Sequence, residues 1–139
     1  MREIKSLADL RQFIDSVNGF HDSILKRLEV VSNDTFDSKI PPGRILSERL
    51  DVKLVFVRQP GSTTEGGEVS LHLKDARGFS TQLPAREAGA FSDWGINDTE
   101  VDEVGPGLFR LRFISSIHKG GEWVPLALLE VPFSTVEIS

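Results

Sequence analysis

Three stretches of this chain keep most of their apolar residues on a single parity. Leu46, Leu50, Val52, Leu54 and Phe56 form the first track, Val69, Leu71 and Leu73 the second, and Phe109, Leu111, Phe113 and Ile117 the third. The opposite parity carries Ser47, Arg49, Asp51 and Lys53, then Glu68, Ser70, His72 and Lys74, then Arg110, Arg112, Ser116 and His118. Side chains of a strand alternate between its two faces, so this spacing predicts half-buried β-strands. Turn signals separate neighbouring tracks: Gly, Ser and Thr over residues 60–67, Asp75-Ala76-Arg77-Gly78, and Lys119-Gly120-Gly121. None leaves room for a helical crossover, which a parallel pair requires, so the pairing is read as antiparallel.

Further strands are expected over residues 24–31, 79–83, 123–131 and 133–138. Residues 54–57 and 123–131 are apolar on both parities and need cover on both faces. Residues 84–91 suggest a short helical turn, and residues 92–107 a long acidic loop with Gly95, Gly105 and Gly107. Residues 33–43 read as a polar connection bracketed by Asn33-Asp34 and Pro41-Pro42-Gly43.

The one helical pattern lies at the start. Ser6, with Asp9 three residues on, resembles a capping box, and Leu7, Leu10, Ile14 and Val17 recur at helical spacing with Phe13 beside them. Asn18-Gly19 supplies the stop, because glycine accepts the left-handed conformation that closes a helix. A helix over residues 6–17 is therefore predicted. The expected fold is α+β and mainly antiparallel β: an N-terminal helix packed on a twisted sheet, a partly rolled barrel or a sandwich, with about six or seven strands. At 139 residues the chain reads as one domain, 1–139, able to bury a sizeable core.

The charge distribution narrows the classes of function. There are 16 basic and 21 acidic residues, a net −5. Five of the acids (Asp93, Asp98, Glu100, Asp102 and Glu103) fall between Asp93 and Glu103 with no base among them, and the remainder balances at 16 against 16. A local acidic patch without a basic footprint disfavours general nucleic-acid binding. There is no cysteine, which excludes disulfides, thiolate metal sites and a cysteine nucleophile. No signal-like or membrane-spanning apolar run is present, so the chain reads as a cytoplasmic protein of bacterial style.

Candidate chemistry is sparse. His21-Asp22-Ser23 contains the residue types of a hydrolase triad, but adjacent side chains diverge, and a triad needs groups brought together by the fold. One reading has Asp22 or Ser23 bonding backbone amides in the turn, with Phe20 plugging the core. The other has His21 and Asp22 forming a binding or metal site at the helix–sheet junction. His72 and His118 lie on polar strand faces. If their strands share a sheet, His72, His118, Arg110, Arg112 and Lys53 gather into a cationic shelf suited to carboxylate or phosphate. The three histidines are too far apart for a local zinc motif, and no metal or cofactor is expected. The acidic loop 93–103 reads as a solvated loop or a docking surface for a basic protein, with Trp94 as its aromatic anchor. Glu48 and Glu130 fall on otherwise apolar tracks, where a buried carboxylate could serve as an acid or base, or mark a strand edge.

The segment Gly19-Phe20-His21-Asp22-Ser23-Ile24-Leu25-Lys26-Arg27-Leu28 resembles small bacterial β-rich proteins that carry Phe-His-Asp-Ser/Ala at the entry to the first strand. They include some immunity-protein families of polymorphic toxin systems. The resemblance implies a small β-rich module without established catalytic residues that binds a partner protein. The leading expectation is thus a non-enzymatic protein-binding module, immunity-like in role. Two alternatives stand beside it: a small-ligand or anion-binding domain using the polar sheet face, and a hydrolase-type enzyme centred on His21 and Asp22.

Overall fold

The computed structural model describes residues 2–37, 39, 43–46, 48–59, 67–83 and 95–139, apart from the side chains of residues 117–119. The helix α1 (Leu7–Ser16) begins where the sequence requires: Ser6 stays extended and its hydroxyl accepts the Asp9 amide proton at 3.2 Å. That bond satisfies one of the amides the first turn leaves free. The chain then passes through β1 (Arg2–Ile4, ahead of α1), β2 (Ile24–Ser32), β3 (Thr35–Asp37), β4 (Arg44–Leu46), β5 (Leu50–Arg58) and β6 (Gly67–Ala76). It continues through β7 (Ser80–Thr81), β8 (Asp98–Gly105), β9 (Leu108–Lys119), β10 (Glu122–Phe133) and β11 (Thr135–Ile138).

The described strands form two main sheets, ordered β1-β11-β6-β5-β2 and β7-β10-β9-β8, and a separate β3-β4 hairpin. Every ladder is antiparallel. The alternating tracks supply the shared core. Val52, Leu54, Phe56, Leu71 and Leu73 of the first sheet and Leu111, Phe113, Leu129, Val131 and Phe133 of the second are fully or almost fully buried. Phe56 and Phe113, one from each sheet, have ring centroids 4.9 Å apart, so the two inner faces meet directly. Leu10, Phe13, Ile14 and Val17 of the helix and its C-cap join the same core. Each fully buried Leu or Phe contributes on the order of 1.5–3 kcal/mol relative to exposure. Among the described residues the sheets do not close into a barrel, and the eleven strands exceed the six or seven expected.

Several expectations need correction. The stretch around Leu46 and Leu50 does not run as one strand: β4 pairs back on β3, and β5 begins only at Leu50. The segment after Gly78 pairs with β10 rather than β6, through Ser80 and Thr81. The acidic stretch is largely the strand β8 and not a loop. Its paired partner β9 supplies what the sequence could not show, an arginine opposite each of two acids. The strand β1, which pairs with β11, was not anticipated. The turn expected at residues 84–91 lies outside the described residues.

Candidate functional site

The helix-to-sheet junction is built around a backbone that turns left-handed. Asn18, Gly19, Phe20 and Asp22 all have φ between +55° and +62°. Asparagine and aspartate tolerate this region better than most residues, but a phenylalanine there is an outlier. The reason is visible in the core. The turn drives Phe20 inward to complete burial, with its ring 4.5 Å from Phe56, 5.9 Å from Phe113 and 6.1 Å from Phe13. Residues 95–99 hold the turn in place. The Asp22 amide donates to the Ile96 carbonyl at 2.9 Å, the Ile96 amide to the Ser23 carbonyl at 2.9 Å, and the Thr99 hydroxyl to the Gly19 carbonyl at 2.6 Å.

This geometry sorts the three triad-like residues. Ser23 is 1% exposed, whereas His21 and Asp22 stay outside with side chains 50% and 57% exposed. His21 Nδ1 lies 2.9 Å from Asp22 Oδ2. The expected divergence therefore holds between Ser23 and the other two, but His21 and Asp22 do come together. Asp22 spends its carboxylate on the neighbouring imidazole rather than on capping backbone amides. No three-residue relay forms, because the hydroxyl of the set belongs to a buried residue.

The expected cationic shelf does not form. Arg110 and Arg112 are on β9 of the four-stranded sheet, and His72 and Lys53 are on β6 and β5 of the five-stranded sheet. His118 belongs to β9 by its backbone, directly opposite Trp123. Both arginines are consumed by carboxylates. Arg110 clasps Asp102 through Nε at 3.0 Å and Nη2 at 2.5 Å, and reaches Glu130 at 3.5 Å. Arg112 bonds Glu130 at 3.3 Å and Glu100 at 3.4 Å. Two cations thus sit within three carboxylates across β8, β9 and β10. The hydrogen bond to Asp102 holds the Arg110 guanidinium above its ordinary range. Glu130 is not a lone core carboxylate; it bridges the two arginines. Of the acidic segment, Glu100 and Asp102 are neutralised within the sheet, and Asp93 and Trp94 lie outside the described residues.

The outer face of the five-stranded sheet carries a different arrangement. Glu3, Glu137, His72, Lys53 and Glu29 are register partners in one row across all five strands. His72 sits between carboxylates on two strands, with Nε2 3.5 Å from Asp51 and Nδ1 3.8 Å from Glu137. Nε2 is enclosed and has no hydrogen-bond partner among the described residues, because Asp51 is near but not aligned. Lys74 donates to Glu137, which raises the Lys74 ammonium above its ordinary 10.5; attraction to Glu3 and Asp51 adds to the effect, and partial desolvation opposes it.

A pair of strongly exposed apolar residues lies where the sequence reads as a polar connection. In the β3-β4 hairpin Phe36 is the register partner of Ile45, so both side chains share a face. Phe36 is 74% exposed, Ile45 62% and neighbouring Leu46 42%. A two-stranded hairpin alone has marginal stability in water. Here its base is stitched to the start of β5. The Asp34 carboxylate accepts the Glu48 amide at 2.8 Å, and the Asn33 side-chain amide donates to the Arg49 carbonyl at 2.8 Å. An open cavity of about 580 Å³ lies beside that base, lined by Asp34, Glu48, Arg49 and Arg77 among others. The sequence held a signal for this hairpin: Phe36 and Ile45 flank Pro41-Pro42-Gly43. Its exposure was not readable, because an apolar residue between turn signals suggests core.

The comparisons with known proteins place no neighbour beside this geometry: no family model, no curated protein and no solved structure matches the chain.

Proposed function

We propose that this domain is a non-catalytic protein-binding module whose contact surface is centred on the β3-β4 hairpin. One observation carries the reading: Phe36 and Ile45 are paired on one face of a hairpin and remain 74% and 62% exposed. Large apolar groups gathered on a surface mark interaction sites more often than isolated ones do. An aromatic anchor with a polar surround is the usual anatomy of a binding hot spot, and the charged cavity at the hairpin base supplies such a surround. The resemblance of the Phe20–Ser23 segment to immunity proteins points to the same class of role. The partner surface moves, however, from the acidic segment to the hairpin, because Arg110 and Arg112 neutralise much of the acid on β8.

The test is capture from the native host at low salt with the unaltered protein and with Phe36→Asp and Ile45→Asp variants. A partner retained by the first and released by both variants supports the reading. A partner held equally by all three removes the hairpin as its site, and no retained protein removes the binding function.

A further inference from the structure

The outer faces of the two sheets treat their cations differently. On the four-stranded sheet each arginine is held by two carboxylates. On the five-stranded sheet Lys74 is paired with Glu137, but Arg27 and Lys53 make no ion pair among the described residues. These two cations flank a shallow cavity of about 250 Å³ lying across β2, β5, β6 and β11. Strand register explains its shape. Arg27 faces Val55, which faces Ser70, and one step along the strands Glu29 faces Lys53, which faces His72. In strand order, Val55 on β5 and Ser70 on β6 lie between Arg27 and Glu29 on β2 and Glu137 on β11, and all of them line the cavity. Lys74 engages one oxygen of Glu137, so the charged groups lining the cavity without an ion pair among the described residues are Arg27, Lys53 and Glu29, beside His72, Ser70 and Ser139.

We propose that this cavity is a binding site for a small anionic group, a carboxylate or a phosphate, held between the Arg27 guanidinium and the Lys53 ammonium, with Ser70 as a further donor. The guanidinium offers a planar fork that matches either anion, and the ammonium adds a point charge. Glu29 disfavours a bulky, highly charged ligand, and the cavity is the size of a small molecule rather than a protein segment. The site shares no residue with the hairpin surface and stands or falls apart from it.

Amide shifts of the isotope-labelled full chain, followed while sodium phosphate, sodium acetate or sodium chloride is added at matched ionic strength, decide the matter. Saturable shifts at Arg27, Lys53, Ser70 and His72 are expected with phosphate, acetate or both, and not with chloride; which of the two saturates names the anion. Arg27→Gln and Lys53→Gln should each weaken that binding about tenfold, because each removes one charge-assisted contact. Both side chains are exposed, so the variants keep the fold, and their spectra report that directly. Shifts that match chloride, lie elsewhere, or persist unchanged in both variants overturn the site.

Discussion

Phe20 packs its ring 4.5 Å from Phe56 while its own backbone sits at φ +56°. The two facts oppose each other energetically. A bulky residue in the left-handed region costs on the order of 1–3 kcal/mol. Full burial of the ring contributes about 1.5–3 kcal/mol, and each aromatic pair about 0.5–1.5 kcal/mol more. Phe20 has three such pairs, so burial wins. Phe20→Ala should therefore cost about 3–5 kcal/mol, the range for a deleted core aromatic. Urea unfolding measures this. A loss under about 1 kcal/mol would mean that the strained turn, and not the ring, limits stability.

Removal of Arg110 should cost more than removal of Arg112. Arg110 holds Asp102 through two guanidinium nitrogens, whereas Arg112 makes single, longer bonds to Glu130 and Glu100. Arg110→Gln also leaves Asp102 and Glu130 facing each other across β9 with one cation fewer between them. A larger fall in Tm for Arg110→Gln than for Arg112→Gln is expected, and the gap should narrow in high salt, since these groups are partly solvated. Equal Tm values at low salt would show that the bidentate geometry carries no advantage.

The Lys74–Glu137 contact predicts an alkaline step in stability. The folded state raises the Lys74 ammonium above 10.5, chiefly through its hydrogen bond to Glu137. A raised value means that the folded state binds the proton more tightly than the unfolded chain. Its contribution is complete below pH 10.5 and is lost as pH climbs through the raised folded value. Other lysines titrate in the same window, so the informative quantity is the difference between the unaltered protein and Lys74→Met. That difference in unfolding free energy should be constant near neutrality and shrink above the ordinary lysine range. A difference that does not change with pH would assign the effect of Lys74 to packing.

Much of the fold was legible in the sequence, because a period of two is a direct consequence of strand geometry. The tracks through Val52, Leu54 and Phe56, through Leu71 and Leu73, and through Phe109, Leu111 and Phe113 all face the core as their parity requires. The helix cap at Ser6 was equally local. What failed was long-range. Parity puts His72 and Arg110 on polar faces but cannot say that those faces belong to different sheets. Composition marks Asp98, Glu100, Asp102 and Glu103 as a run of acids. Only the β8-β9 register reveals arginines opposite Glu100 and Asp102. The junction shows the same limit. Adjacent side chains were expected to diverge, yet those of His21 and Asp22 meet, because Asp22 takes a left-handed turn that its residue type permits but does not require.

Phe36 separates stability from binding. Its side chain is 74% exposed, so Phe36→Asp removes little buried surface, and the unfolding free energy should change by no more than about 0.5 kcal/mol. Its position opposite Ile45 nevertheless makes it the centre of the apolar face, and a carboxylate there must be desolvated by any partner that covers the hairpin. A partner's affinity should fall at least about tenfold, while Val124→Asp, at a 38% exposed residue on β10, should leave it unchanged. Binding measured by calorimetry alongside urea unfolding tests both halves. If Phe36→Asp destabilised the fold by several kcal/mol, the hairpin would be packing against its own domain in solution, and its exposed face could not be the contact surface.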